Sequence, residues 1–138
     1  MELQIGVKIL FKNGAGKYLL LKRSPKKYPD VKDGWDAVGG RIKAGETLLN
    51  GLKREIKEEI FQTVNLKNRL KLIAAQDILR PPKTHVVRLT YTTDLKIKNS
   101  LKLSAEAIGY KWFSLNEMKK LKNLDKYVKE LVVTNKLK

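Results

Sequence analysis

The order of apolar segments along this chain predicts an α/β fold, with a mixed sheet between helices. Short apolar runs come first, an amphipathic helix follows, and further runs precede two helices near the C-terminal end. The 138 residues are enough for one proper core. Apolar residues make up 42% of the chain and charged residues 32%, which is a globular balance. We therefore expect a single domain over residues 1–138, without internal repeats or linkers.

Two strands are expected in the N-terminal part, over residues 3–11 and 18–22, because both segments are apolar and a turn of hairpin type lies between them. That turn contains Gly14 and Gly16. Residues 23–34 carry two prolines and no periodicity, so we expect a loop, and loops of this length are often functional. A short strand over residues 35–38 should end at Gly39 and Gly40.

A helix is expected over residues 47–61, where apolar side chains recur every four positions and form one stripe. Strands should follow over residues 70–79 and 84–95, separated by a Pro-Pro turn, and a last short strand over 110–113. Ser114 and Glu117 form a capping-box pattern, which predicts a helix beginning near Leu115. Residues 124–133 should form a final amphipathic helix.

The residue inventory restricts what kind of metal site the chain can build. There are no cysteines, so disulfides and thiolate metal sites are excluded. Any metal must be held by oxygen or by His85, the one histidine, and Mg²⁺ suits oxygen ligands. His85 opens an expected strand, which favours a surface or half-buried residue over a catalyst.

The charge balance predicts polyanionic partners without choosing among them. Thirty Lys and Arg against fourteen Asp and Glu give a formal charge of +16, which attracts phosphates, nucleic acids or acidic lipids. Because the lysines are scattered, we favour a solvated basic surface, and nucleic-acid binding stays possible but not favoured. No apolar run approaches a span of ~20 residues and the N-terminus does not resemble a signal peptide, so we expect a cytoplasmic protein without membrane contact.

Three carboxylates share one face of the expected helix. Glu55, Glu58 and Glu59 are spaced i, i+3 and i+4, and their face adjoins the apolar stripe. Like charges this close repel unless a cation neutralises them, which is typical of a divalent-metal site. Gly51 lies on the same face at a helix-propensity cost of ~1 kcal/mol, which suggests an approaching loop or ligand. The alternative is an ordinary set of surface Glu–Lys pairs.

The residues around these acids decide between a metal site and ordinary surface pairs. Gly40, Glu46 and the run Arg54-Glu55-Ile56-Lys57-Glu58-Glu59 have the spacing of G-x5-E-x7-R-E-U-x-E-E, where U is aliphatic. This pattern resembles the Nudix box, and the flanking segments 19–23, 34–40 and 106–115 resemble those of the same family. The resemblance implies a Nudix-type α/β/α sandwich with a mixed central sheet. Phe61, Gln62 and Val38 depart from the pattern; Phe61 stands where the family has the glycine of a left-handed helix cap.

The resemblance also implies residue roles. Mg²⁺ or Mn²⁺ would be held by Glu55, Glu58, Glu59 and the Gly40 carbonyl oxygen. Arg54 would orient a neighbouring carboxylate, and Glu46 would brace the loop or bind a metal through water. The general base would be Glu58, Glu59 or Glu106, although Glu106 could equally be a solvated loop acid. Substrate contacts are expected from Arg23, Trp35, Gly39 and Gly40; Trp35 could stack on a base or pack in the core.

The implied activity is hydrolysis of a diphosphate bond in a nucleoside diphosphate linked to another moiety. A nucleoside triphosphate, a nucleotide sugar or ADP-ribose would fit, with the protein a monomer or homodimer. One alternative is a non-catalytic Nudix-like module that binds a nucleotide or RNA. Another is an isopentenyl-diphosphate isomerase, which the lack of cysteine argues against.

Overall fold

The computed structural model describes residues 1–26, 34–98 and 100–138. Most of the expected loop over residues 23–34 therefore lies outside the described residues. Seven strands and three helices follow one another in chain order: β1 Glu2–Phe11, β2 Tyr18–Arg23, β3 Trp35–Asp36, β4 Val38–Arg41, α1 Leu48–Ile60, β5 Lys71–Arg80, β6 Thr84–Thr93, β7 Ala107–Phe113, α2 Leu115–Lys120 and α3 Lys126–Val133.

The strands form two sheets. One is a mixed four-stranded sheet in the order β4-β1-β6-β5, in which β1 and β6 are parallel and the other neighbours are antiparallel. The other is antiparallel and has the order β3-β2-β7. The predicted α/β fold, with a mixed sheet and helices packed against it, is confirmed.

The turn between β1 and β2 forms, but its strands do not pair as a hairpin. Asn13 holds the turn, because its side chain accepts hydrogen bonds from the amides of Ala15 and Lys17. Beyond it, only Lys12 and Tyr18 form a bridge. Both edges of β1 are already paired, with β4 and β6, so β2 enters the second sheet instead.

The segment expected as one strand ending at Gly39 and Gly40 is instead two strands that divide between the sheets. β3 pairs with β2, whereas β4 pairs with β1 and includes both glycines. Gly39 has φ +145°, and a Cβ there would collide with the Val7 carbonyl oxygen. The close approach of β4 to β1 therefore requires a residue without a side chain.

Helix α1 is capped at both ends, although Phe61 stands where the box has a glycine. Thr47 is the N-cap and accepts a hydrogen bond from the Asn50 amide. Phe61 is the C-cap in the left-handed conformation, with φ 54° and ψ 37°, and its amide donates to the Lys57 carbonyl. Glycine adopts this conformation without strain, so an exposed aromatic residue holds it at a cost.

Two apolar clusters fill the molecule on opposite faces of the four-stranded sheet. Val7 and Ile9 of β1 belong to the cluster that includes Leu52 and Ile56 of α1. Leu10, one strand position away, belongs to the cluster beneath α2 and α3. Successive side chains of a strand point to opposite faces, so β1 supports both layers. Within the described part of the chain, no helix has the length and apolarity required to cross a bilayer.

Candidate active site

The three glutamates of α1 differ greatly in their exposure to solvent. The Glu59 side chain is 2% exposed, that of Glu55 is 12% exposed and that of Glu58 is 56% exposed. The spacing that places them on one helix face thus spreads them from the core to the surface.

Glycines let β4 and the loop after it lie directly against α1. A Cβ on Gly40 would be 2.5 Å from Oε2 of Glu55, so that carboxylate lies against the strand backbone. A Cβ on Gly51 would collide with the side chain of Ile42, in the loop after β4. This loop is the approaching segment that a glycine on the acidic helix face suggested.

Arg54 connects this loop to the carboxylates. Its Nε and Nη2 donate to the two oxygens of Glu46, at 2.7 and 2.9 Å. Its Nη1 donates to Glu55 at 2.8 Å and to Glu58 at 3.2 Å, and Nη2 also donates to the Arg41 carbonyl. Hydrogen bonds from Arg54 lower the pKa of Glu46 to about 2, and those to Glu46 raise the pKa of Arg54.

Burial raises the pKa of Glu55, and the negative charges of Glu59 and Glu58 act in the same direction. The hydrogen bond from Arg54 opposes this shift. An additional cation beside Glu55 would favour its ionised form.

Arg23 and Glu59 form a buried ion pair between β2 and α1. Nη1 of Arg23 lies 2.5 Å from Oε2 of Glu59, and the Gly39 amide donates to the other oxygen at 2.6 Å. Nη2 of Arg23 donates to the Ala37 carbonyl at 2.8 Å. Both Glu59 oxygens therefore accept hydrogen bonds that fix α1 against β2 and β4.

A cleft of about 1040 Å³ begins at Gly40 and Glu55. From there it runs over the face of the four-stranded sheet that is opposite α1, and it reaches the start of α3. We call it the main cleft. Its lining includes Gly6, Lys8, Arg23, Trp35, Asp36, Gly39, Gly40, Arg41, Glu55, Arg80, Arg88, Glu106, Asn123, Asp125, Lys126 and Tyr127. All the residues for which we expected substrate contacts, and Glu106, thus border one cavity with Glu55.

The predicted residues outside α1 contribute to the main cleft in different ways. Glu106 precedes β7, its carbonyl accepts a hydrogen bond from the Ser24 amide, and its side chain is half-buried. Trp35 packs edge-on against Phe113, with ring centroids 4.9 Å apart, so its ring is anchored in the second apolar cluster. His85 pairs with Asp77 at 2.7 Å and does not line the cleft.

The floor of the main cleft holds an ion network that the sequence did not lead us to expect. Asp36 lies 3.2 Å from Nζ of Lys8 and 2.9 Å from Nη2 of Arg88. Nη1 of Arg88 lies 3.1 Å from Asp125, which is also the N-cap of α3. The Arg88 guanidinium carbon is 5.6 Å from the centre of the Tyr127 ring.

Burial alone would raise the pKa of Asp36, but the charges of Lys8, Arg88 and Arg23 outweigh it and hold that pKa well below its usual range. Burial lowers the pKa of Lys8, against the opposing charge of Asp36. One sequence signal for this network exists in hindsight. Lys8 interrupts the apolar run of β1.

The comparisons with known proteins agree with this geometry. A family model described as NUDIX domain matches residues 2–132. The chain belongs to the Nudix family. The ADP-ribose pyrophosphatase of Methanocaldococcus jannaschii is 33% identical to it over 105 residues, which are 76% of this chain and 59% of that protein. The chain thus spans less than two thirds of the length of this relative.

Solved structures show the same fold. The MutT protein from Methanosarcina mazei Go1 superposes on this Nudix domain with a TM-score of 0.80 at 25% identity, covering 96% of this chain and 92% of the other. A C. elegans Ap4A hydrolase superposes with a TM-score of 0.62 at 23% identity, covering 96% and 94%. The resemblance inferred from the box is confirmed.

The donor atoms of this Nudix site suit a hard divalent cation. Glu55, Glu58 and the Gly40 carbonyl supply oxygen donors, and the missing side chain of Gly40 leaves room for the Glu55 carboxylate. Among the described residues, no three acidic or imidazole side chains converge as a ready metal cage. Arg54 lies between Glu46, Glu55 and Glu58 and bonds to all three, so ion binding would rearrange these contacts.

Proposed function

We propose that this Nudix domain is a hydrolase dependent on Mg²⁺ or Mn²⁺. It cleaves a diphosphate bond in a nucleoside diphosphate linked to another moiety. The observation that carries the proposal is that Glu55 lines the main cleft, with Gly40 beside it. Pockets for small ligands commonly have ~300–1,000 Å³, so a whole nucleotide fits. The names of the relatives, an ADP-ribose pyrophosphatase and a MutT protein, support the same reaction class.

Glu55, Glu58 and the Gly40 carbonyl are the proposed metal ligands, with Glu59 joining them if its bond to Arg23 is released. When bound, the divalent ion would polarise the phosphoryl oxygens and neutralise their charge. Arg54 holds Glu55 and Glu58 in place through hydrogen bonds, and it also donates to Glu46. Arg23 acts as a positioning residue, because it fixes Glu59 and the Ala37 carbonyl next to Gly39.

The base that deprotonates the attacking water is proposed to be Glu106 or Glu58. Both oxygens of Glu59 already accept hydrogen bonds, so this carboxylate is engaged in holding α1 against β2 and β4. Glu106 borders the same cavity as Glu55, whereas Glu58 is mostly exposed. Glu106→Gln should therefore flatten the acidic limb of the pH–rate profile, where the rate rises as the base ionises, if Glu106 is the base.

The substrate would span the main cleft from the carboxylates to the start of α3. Arg41, Arg80 and Lys126 lie on its lining and would attract phosphates. The ion network of the floor pairs cations with carboxylates, so the floor suits a polar group without high charge. ADP-ribose, a nucleotide sugar or a nucleoside triphosphate has this distribution of charge.

A non-catalytic nucleotide- or RNA-binding module is the second candidate, because the formal charge of +16 favours polyanions in general. Against it, Arg54 and all three box glutamates are retained in bonded positions. Carboxylates this close repel one another, and a module that does not hydrolyse its ligand has no need to keep them together.

The deciding experiment is a hydrolysis screen over ADP-ribose, dinucleoside polyphosphates and nucleoside triphosphates with Mg²⁺ or Mn²⁺, repeated in excess chelator. Loss of a ligand in Glu55→Gln should reduce turnover by more than the roughly 10–100-fold typical of an outer-shell partner. It should also weaken Mn²⁺ binding measured by calorimetry. Glu130→Gln, on the exposed side of α3, is the matched control. Undiminished turnover in chelator, or unchanged Mn²⁺ affinity in Glu55→Gln, would contradict the proposal.

A further inference from the structure

A second groove, of about 500 Å³, opens at the other end of the four-stranded sheet. We call it the distal groove. The ends of β1 and β6, the start of β5 and the segment after α3 form its walls, with the lining residues Lys12, Tyr18, Asn68, Arg69, Lys71, Thr92, Asp94, Lys136 and Lys138 among others.

The distal groove is separate from the main cleft. Gly6 lines the main cleft and Lys12 the distal groove, and six residues of strand span roughly 20 Å. Helix α3 lies between them, since Asp125 at its start borders the main cleft and Lys136 beyond its end borders the distal groove. In the part of the chain that the structure describes, no residue lines both cavities.

The charge of the distal groove is one-sided. Among the described residues, five cationic side chains line it against one carboxylate side chain, that of Asp94, whereas six cations share the main cleft with four carboxylates. Asp94 is already paired with Arg69 at 3.0 Å. Lys71 and Lys136 are exposed and have no ion pair with any described carboxylate. Their attraction for an anion is therefore not offset locally.

The lining also indicates which part of a polyanion would be recognised. Tyr18, the aromatic residue in the lining, is 3% exposed and its hydroxyl donates to the Lys138 carbonyl. It offers no face on which a base could stack, and stacking is what single-strand binders use to hold bases. Lysines and short polar side chains are suited to contacts with phosphate oxygens instead, and Asn68 and Thr92 are of this kind.

We propose that the distal groove binds a chain of linked phosphates through their oxygens alone, either a nucleic-acid backbone or inorganic polyphosphate. Binding is independent of base sequence and is driven by the release of counterions. This site goes beyond the proposed hydrolysis, because none of its residues lies in the main cleft. A phosphate chain bound there would be held about one strand length from the carboxylates.

The test compares two charge-reversed variants of the full chain. Lys71→Glu with Lys136→Glu removes the unpaired cations, and Lys98→Glu with Lys102→Glu makes the same change in net charge at exposed sites outside both cavities. Anisotropy of a labelled oligouridylate, followed from low to physiological salt, measures affinity. The groove variant should bind at least about tenfold more weakly, and its salt slope should shrink by about 1.4, or 0.7 per lost phosphate contact.

Competition by inorganic polyphosphate and by orthophosphate identifies the source of the phosphate chain. Displacement of the oligonucleotide by polyphosphate but not by orthophosphate supports a site for linked phosphates. Resistance to polyphosphate, with groove-dependent RNA binding, restricts the ligand to nucleic acid. Equal weakening by both charge-reversed pairs, or no measurable binding at low salt, overturns the proposal. Hydrolysis of a small substrate should be unchanged in the groove variant, so this result does not depend on the proposed activity.

Discussion

Arg54 is the residue on which most contacts of the site converge. It donates to Glu46, Glu55 and Glu58 and to a backbone carbonyl, while 21% of its side chain stays exposed. The pair with Glu46 uses both carboxylate oxygens, which fixes the plane of the guanidinium. The position of the other two carboxylates therefore depends on a single side chain.

Arg54→Ala should lower kcat about 10–100-fold, because Glu55 and Glu58 lose the group that orients them. The free energy of unfolding should fall by only ~1 kcal/mol, since a partly exposed ion pair contributes little to folding. Steady-state kinetics and thermal denaturation measure the two effects. Arg69→Ala, which breaks the exposed pair with Asp94, serves as the control and should leave kcat unchanged. A normal kcat with a collapsed Tm would show that Arg54 has a structural role only.

Gly40→Ala tests the close contact between β4 and the Glu55 carboxylate. The new Cβ would meet both carboxylate oxygens and the carbon between them at 2.5–2.7 Å, so the Glu55 side chain must move. We expect a loss of kcat of at least about tenfold and weaker Mn²⁺ binding. Gly14→Ala has open space around it and should change neither quantity. Equal activity of Gly40→Ala and wild type would mean that the Glu55 position is unimportant.

At the scale of the secondary-structure element, helix α1 ends on a strained residue. Phe61 is 56% exposed and holds a left-handed backbone. An L side chain in this conformation costs roughly 1–2 kcal/mol, and glycine avoids that cost. The ring of Phe61 is not part of either apolar cluster, so little packing offsets the strain.

Phe61→Gly should raise the free energy of unfolding by roughly 0.5–1 kcal/mol, after the greater freedom of glycine in the unfolded chain is subtracted. Phe61→Ala removes the ring but keeps a Cβ in the strained conformation, so it should not raise the free energy of unfolding. Urea unfolding of both variants measures the difference, and hydrolysis rates should match wild type. A destabilised Phe61→Gly would show that contacts of the ring outweigh the backbone strain.

At the scale of the whole molecule, the buried ion network joins the two sheets and α3. Asp36 follows Trp35 in the second sheet, whereas its partners Lys8 and Arg88 come from β1 and β6 of the first. Arg88 extends the network to Asp125 at the start of α3. Removing one partner of a buried ion pair leaves an uncompensated charge and costs about 3–5 kcal/mol.

Asp36→Asn should therefore lower the free energy of unfolding at neutral pH, and this loss should become smaller in acid. The pKa of Asp36 is depressed in the folded state, so its stabilisation is complete above the unfolded value of about 3.9 and is lost as the pH falls through the folded value. The difference in the free energy of unfolding between wild type and variant should narrow below about pH 4. Urea unfolding over a range of acid pH measures it, with Asp77→Asn on the exposed His85 pair as control. A gap that stays constant through this range would contradict the role given to Asp36.

Features that depend on neighbouring positions followed from the sequence alone. The four-residue repeat of apolar side chains determined α1, and the spacing of Glu55, Glu58 and Glu59 placed them on one face of it. The Nudix box showed that Phe61 stands in place of the cap glycine, but it did not establish that the helix would end there. These features are local, because backbone geometry fixes which residues of a helix share a face.

Tertiary structure decided the features that join distant segments. Sequence patterns did not show that β2 leaves β1 for another sheet, since that depends on which edges of β1 are already occupied. They also did not show that Lys8, Asp36, Arg88 and Asp125 meet beneath the main cleft. A charged side chain is buried only where an opposite charge is brought beside it. For this protein, those partners come from strands and a helix far apart in the chain.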